Sequence, residues 1–265
     1  MESQIHPTAV IDNRAQLHPT VAVGPYAVIG AEVVIGPRTQ VGAHVVIEGP
    51  TEIGADNHFF PGSAIGLEPQ DLKYQGAPSR LRIGDGNRFR EYVTVNRATA
   101  AGEETRIGND NLLMAYSHVA HNCVLADNVI IANGVALAGH VQIESRVVIG
   151  GVLGIHQFVH VGQMAMLGGM SRIDRDVPPY MLVEGNPGRV RALNLIGLKR
   201  AGVNPEELQL LKKAFRLLYR SENTFTQGVE QLSTWSDHDH LGHLYRFLST
   251  SLAEQNRRGL IPGAR

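Results

Sequence analysis

The sequence predicts a mainly β protein: a left-handed parallel β-helix of hexapeptide repeats followed by a C-terminal α-helical domain. Three observations carry this. An aliphatic residue recurs at every sixth position through Leu113, Val119, Leu125, Ile131, Leu137, Ile143, Ile149 and Ile155, a period that fits neither an amphipathic helix, near 3.6, nor an alternating strand, near 2. The same frame extends back to Ile5 and forward to Ile173. Beyond it, DVPPYMLVEGNPGRVRA carries the prolines and glycines of a domain boundary, and helical patterns follow.

Each hexad makes one short strand and a turn, and three hexads close a triangular coil, so residues eighteen apart stack. The aliphatic first position and the small fifth position (Cys123, Val129, Val135, Val141) point inward, and the Gly, Ala or Asp after the aliphatic residue is expected to supply the bend. The frame runs from Ile5 to Ile65, fails over residues 67–80, resumes at Ile83, Phe89 and Val95, fails again at 101–106, and continues from Ile107. Residues 1–188 are therefore read as a prism with two excursions, and 189–265 as the helical domain. With the excursions excised, the hexads starting at Ile65, Val95, Val119, Leu137 and Ile155 share one column. Both loops then leave the prism at the edge where His121, Gly139, His140, His156 and Gln157 project. Loops that converge on titratable side chains mark a candidate site.

Residues 5–66 read as scaffold, with His6, His18, His44 and His58 as solvated turn residues. The first excursion, GLEPQDLKYQGAPSR, brings Asp71 and Lys73 to the histidine edge, where a carboxylate and an ammonium suit the hydroxyls and phosphates of a substrate. The second, AGEETR, suggests no role. His118 and His121 face outward, whereas Cys123 takes an inward position and reads as a buried small hydrophobe rather than a nucleophile.

The eighteen-residue repeat places Gly139 against His121 and His140 against Asn122. An outward histidine titrates near neutral pH, as a general base should. A glycine leaves its backbone N–H open to a substrate oxygen. A base and an oxyanion donor side by side suit acyl transfer. One coil on, Gln157 lies below Gly139 and His156 beside it, both available for polar contacts.

After the boundary, helices are predicted at Asn194–Ala201, at Pro205–Tyr219 with Asn204 as its cap, and near 226–234 and 238–254. Such a cap closes the last coil, which would otherwise present an unpaired edge. Arg189, Arg191, Lys199, Arg200, Lys212, Lys213, Arg216 and Arg220 outnumber Glu206 and Glu207 there, which suits an acidic partner or phosphates.

Composition narrows the class. The 265 residues are 43% hydrophobic, and 24 Lys and Arg against 25 Asp and Glu leave a net charge of −1, which speaks against a general nucleic-acid binder. No run of about 18 apolar residues occurs, so the chain is not expected to span a membrane. The start MESQIHPTAVI is already in repeat frame rather than a signal sequence, and the single cysteine agrees with a reducing compartment. Both favour a cytoplasmic protein.

Beyond the hexads, PQDLKY at 69–74, DNLLM at 110–114, HVAHNC at 118–123, LAGHV at 137–141, HQF at 156–158, DVPPY at 176–180, EGNP at 184–187 and LNLIGLKR at 193–200 resemble the acyl-carrier-protein:UDP-N-acetylglucosamine O-acyltransferases that begin lipid A synthesis. The resemblance covers essentially the whole chain. It implies a homotrimer with sites in clefts between chains and no cofactor, transferring a 3-hydroxyacyl group from acyl carrier protein to the 3-hydroxyl of UDP-N-acetylglucosamine. Carried over, His121 is the general base and Gly139 the oxyanion donor. Asp71, Lys73, His118, His140, His156, Gln157, Asn194 and Arg200 match substrate-contacting positions. Gly169 matches the position that limits acyl length, and a glycine there implies room for a longer chain. Three positions depart. Asn122 stands where some members have Asp, so no carboxylate from that position supports the imidazolium. Ile196 and Ala201 replace an acidic residue and a second arginine.

Two other enzyme readings and one non-enzyme reading use the same residues. A UDP-aminosugar N-acyltransferase shares the repeats but typically carries an extra N-terminal domain. A zinc-dependent gamma-class carbonic anhydrase would use His118, His121 and His140 as ligands and keep a fourth position open, leaving the QDLKY loop and helical cap unexplained. A catalytically silent scaffold for acyl carrier protein is the third.

Overall fold

The computed structural model describes residues 4–235, 237–254 and 258–264. Strands of two to five residues stack into three sheets, A, B and C, parallel except for the last strand of sheet A, which form the walls of a prism. The hexad period sets the register: Val119 pairs with Leu137, Leu137 with Ile155 and Ile155 with Ile173, all in sheet B. The inward aliphatic residues Leu113, Val119, Leu125, Ile131 and Leu137, taken from the three walls in turn, are buried, as are Cys123, Val129, Val135 and Val141 beside them. Each such side chain contributes roughly 1.5–3 kcal/mol of burial. Phe59 and Phe89 stack inside the prism with centroids 4.8 Å apart.

Register shows where the chain leaves the walls. Phe59 pairs with Phe89 and Phe89 with Leu113, so one coil holds thirty residues and the next twenty-four. The surplus lies in two loops, both between sheets B and C. The first separates strands Ala64–Leu67 and Arg80–Ile83; the second separates Thr94–Asn96 and Glu104–Ile107. Ile65, Val95, Val119, Leu137 and Ile155 do fall in one column. The second loop occupies 97–103 rather than 101–106, because Glu104–Arg106 already pair with Arg80–Arg82. Thr105 conceals this strand in the sequence: a hydroxyl takes the inward fifth position and is fully buried there.

The bends also differ from expectation. Left-handed φ falls three residues after the aliphatic position, as at Tyr116 (62°), Asn122 (60°), His140 (60°) and Phe158 (65°), and not on glycines that follow that position such as Gly36 and Gly42; Gly66, where the first loop leaves the wall, is an exception at 75°. Those glycines serve coil approach instead. A Cβ on Gly36 would lie 2.6 Å from the Gly54 carbonyl carbon, and one on Gly42 would lie 2.7 Å from the Phe59 oxygen.

Strand pairing passes residue 188. Met181–Glu184 extends sheet A and pairs antiparallel with Arg189–Leu193. Among the described residues four α-helices follow: α1 (Leu195–Arg200), α2 (Pro205–Tyr219), α3 (Phe225–Leu232) and α4 (Asp239–Ala253). Asn204 caps α2 by accepting from the Glu207 N–H at 2.9 Å. The helices dock on the end of the prism through polar as well as apolar contacts. Glu144 pairs with His160 at 3.0 Å and His243 at 2.9 Å, the Ser251 hydroxyl donates to Asp176, and Phe247 packs on the His160 ring. Residues 258–264 return to the prism, where the Ile261 N–H donates to the Asp176 carbonyl.

Candidate active site

The candidate site lies along the edge between sheets B and C. Sheet B presents an outward ladder of His118, Ala136, Gly154 and Arg172, paired coil by coil. The turns that follow carry Ala120 to Asn122, Ala138 to His140 and His156 to Phe158. Ala136, Ala138 and Gly154 give the groove a floor of small residues. A cavity of about 480 Å³ results, with His118, His121, Gly139 and His156 among its walls. Gln70 enters from the first loop, and Arg172 and Asp174, paired at 3.5 Å, stand at the far end.

Within it His121 and Gly139 are in direct apposition. A Cβ on Gly139 would sit 2.6 Å from His121 Nε2 and closer still to Cε1. Gly139 is buried against the ring, yet its N–H makes no hydrogen bond among the described residues. Buried backbone donors are otherwise paired about nine times in ten. The Asp71 carboxylate reaches to 4.0 Å from His121 Nε2. Asp71 also accepts from the Lys73 N–H at 2.9 Å, a local turn of the first loop; the Lys73 side chain is exposed.

The flanking histidines His118 and His140 both have lowered pKa values. Burial, and then the neighbouring His121, lower the His118 pKa, and its Nδ1 is engaged by the Thr94 hydroxyl at 2.7 Å. His140 meets the His121 ring edge-on at 5.2 Å and stacks on Phe158 at 4.7 Å. Burial followed by His121 lowers its pKa too, against Glu103 and Asp71. His156 is half-buried and Gln157 exposed.

Not every predicted residue gathers here. Gly169 lies at the edge between sheets A and B, and Asn194 and Arg200 lie at the edge between sheets C and A. The Asn194 amide is occupied locally. Its oxygen accepts from the Gly197 N–H at 3.0 Å, capping α1, and its nitrogen donates to the Met164 carbonyl at 2.9 Å. Conversely, the second loop, to which no role fell, contributes Glu103. Its carboxylate accepts from the Asn122 amide at 2.7 Å, and the Asn122 oxygen lies 2.9 Å from His121 Nδ1. No periodic signal marks Glu103, because it lies in an excursion outside the hexad frame.

Cys123 is buried, donates to the Ala138 carbonyl, and has its thiol pushed up to about 12 by burial. Among the described residues no three His, Cys, Asp or Glu side chains are grouped to hold a metal ion, and His118 and His121 each have Nδ1 engaged by Thr94 and Asn122.

Comparison with known proteins identifies the family. A family profile described as UDP-N-acetylglucosamine O-acyltransferase, domain 2, matches residues 176–261, and one for the bacterial transferase hexapeptide (six repeats) matches 104–139. The chain is 63% identical over 207 residues, 78% of its length and 75% of the relative's, to an acyl-[acyl-carrier-protein]–UDP-N-acetylglucosamine O-acyltransferase of Gloeothece citriformis. It is 48% identical to the Sulfurovum protein of the same name over 250 residues, 94% of this chain and 96% of that one. The crystal structure of the Francisella novicida UDP-N-acetylglucosamine acyltransferase superposes with a TM-score of 0.93 at 34% identity, covering 98% of this chain and 95% of that one. The chain belongs to the UDP-N-acetylglucosamine O-acyltransferase family.

Proposed function

We propose that this protein transfers a 3-hydroxyacyl group from acyl carrier protein to the 3-hydroxyl of UDP-N-acetylglucosamine, in the cytoplasm, as the first step of lipid A synthesis. The apposition of the His121 imidazole and the unpaired Gly139 N–H carries this reading. His121 Nε2 takes the proton from the sugar hydroxyl as its oxygen attacks the thioester carbonyl. The Gly139 N–H holds the developing oxyanion. The carbon–sulfur bond then breaks, and the imidazolium returns the proton to the departing thiolate. Base catalysis of this kind supplies about 10²–10⁴-fold and an oxyanion donor about 10²–10³-fold. No acyl-enzyme is required, and the buried Cys123 thiol is unsuited to forming one.

Asp71, Lys73, His118, His140, His156 and Gln157 bind the sugar nucleotide around this centre. Gly169, Asn194 and Arg200 lie on the other two edges and join a site only where neighbouring chains meet, which favours a homotrimer. The edge between sheets A and B supports that assembly: Tyr92, Tyr116, Val152 and Met170 are exposed along it, and the two tyrosines stack at 5.3 Å. An apolar stripe of this kind marks an interaction surface. Gly169 leaves space for a long acyl chain, and a series of donors of graded length reads that preference directly.

The deciding experiment incubates the protein with 3-hydroxyacyl-acyl-carrier-protein and either UDP-N-acetylglucosamine or a UDP-aminosugar, then measures product mass. An O-acylated UDP-N-acetylglucosamine is expected. An N-acylated aminosugar alone, or no acylated product, overturns the assignment.

A further inference from the structure

A general base needs its second ring nitrogen tied to an acceptor, which selects the tautomer and supports the charge gained in the reaction. Beside His121 the sequence offers a neutral amide, Asn122, where a carboxylate would be the stronger partner. The contacts around that amide decide its orientation. The Thr99 backbone N–H, which can only donate, lies 3.2 Å from one amide atom, and the Glu103 carboxylate, which when ionised only accepts, lies 2.7 Å from the other. The first atom is therefore the oxygen and the second the nitrogen. The Thr99 hydroxyl donates to the same oxygen at 3.1 Å.

It follows that the atom 2.9 Å from His121 Nδ1 is an amide oxygen, so Nδ1 carries the hydrogen and Nε2 keeps its lone pair. Nε2 faces Gly139 and Asp71. The second excursion is built to deliver this arrangement. The Glu103 N–H donates to the Ala100 carbonyl at 3.1 Å, the Ala100 N–H donates to the Glu103 carboxylate at 3.3 Å, and Gly102 takes φ +78° between them. The Asn122 N–H donates to the Thr105 hydroxyl at 2.8 Å, which fixes the left-handed turn from which the amide projects.

We infer that Glu103 is a positioning residue for His121, acting through Asn122: its carboxylate orients and polarises the amide, which in turn holds the base tautomer and supports the imidazolium. The inference rests on the reading of His121 as the base. The amide passes on charge stabilisation without passing a proton, since it neither gains nor loses one. Asp71 faces Nε2 from the other loop, and His118 and His140 flank the ring. Glu103 acts on the Nδ1 side. A hydrogen bond to a charged group is about twice as strong as one between neutral groups, and hydrogen bonds in series polarise one another.

A carboxylate exchange tests this. Glu103→Gln keeps a hydrogen-bond acceptor for the Asn122 amide but removes the charge. It is expected to lower kcat roughly fivefold, the scale of replacing a charge-assisted hydrogen bond by a neutral one, with KM for the sugar nucleotide within about twofold. The acid limb of the kcat profile should move to lower pH, because an imidazolium with less support protonates less readily. Adding Asn122→Asp to Glu103→Gln moves the carboxylate one link inward, with the side-chain amide introduced at position 103 now donating to it, and should restore at least half of the lost rate. A Glu103→Gln protein with wild-type kcat and pH profile, or a double variant no better than Glu103→Gln, overturns the inference. Nuclear magnetic resonance of ¹⁵N-histidine-labelled protein without substrate gives an independent answer. The Nδ1–H form of His121 is expected, with a titration midpoint that falls in Glu103→Gln; the opposite tautomer, or coincident titrations, overturns the inference whatever the substrate proves to be. Absence of acylated UDP-N-acetylglucosamine from the wild type would instead overturn the functional assignment.

Discussion

His121 and Gly139 stand one coil apart, and the imidazole fills the space that any side chain at 139 would need: a Cβ there would lie 2.6 Å from Nε2 and 3.1 Å from Nδ1. Gly139→Ala would therefore push the ring out of place while leaving the prism core untouched. Turnover is expected to fall about 100-fold, the scale of misplacing a catalytic group by about 1 Å. Thermal unfolding should shift by no more than a few degrees. Steady-state kinetics beside a melting curve check both.

Removing the imidazole separates base catalysis from binding. His121→Ala should lower kcat by about 10²–10⁴-fold, while calorimetric affinity for UDP-N-acetylglucosamine changes by less than about fivefold. Near-normal turnover in this variant would mean that the base lies elsewhere.

Cys123 provides a negative control for covalent catalysis. Its buried thiol, pushed up to about 12, leaves almost no thiolate at neutral pH. Alkylation of the native protein should be slow and become fast on unfolding. Cys123→Ala should keep kcat within about threefold and lose about 1–2 kcal/mol of stability from the deleted buried group. Intact-protein mass spectra during turnover should contain no acyl adduct.

The junction between prism and helices should be acid-sensitive through Glu144. Burial alone would raise its pKa, but the hydrogen bonds from His160 and His243 outweigh it and hold the carboxyl at about 2. A depressed carboxyl pKa stabilises the fold fully above its unfolded value, near 4.5, and this stability is lost as pH falls through the folded value near 2. Glu144→Gln is expected to cost on the order of 1–3 kcal/mol at pH 6, with the gap to wild type narrowing between about pH 4.5 and 2. Denaturant unfolding across that range measures the difference. A gap independent of pH would assign the loss to packing rather than to charge.

Much of the fold was legible because parallel strands with a fixed period leave little freedom. Val119 must pair with Leu137, and the turns that carry His121 and Gly139 follow two residues later. Helix α2 was equally readable, since Asn204, Pro205 and Glu206 form a local start signal whose hydrogen bond spans only three residues. The glycines after the aliphatic positions were readable as special, but for a different reason. Their role is close stacking between coils, an interaction with residues one full coil away along the chain.

What the sequence by itself determined is the periodic part: which residues face inward, which turns stack, and hence that an imidazole and a side-chain-free amide meet. Only the tertiary structure decided the aperiodic part: that Glu103 reaches Asn122, that Asp71 comes to 4.0 Å from His121, and that Asn194 spends its amide on capping α1. The physical reason is that stacking register is set by a repeated spacing along the chain, whereas a loop's endpoint depends on its own turns and hydrogen bonds, which repeat nowhere.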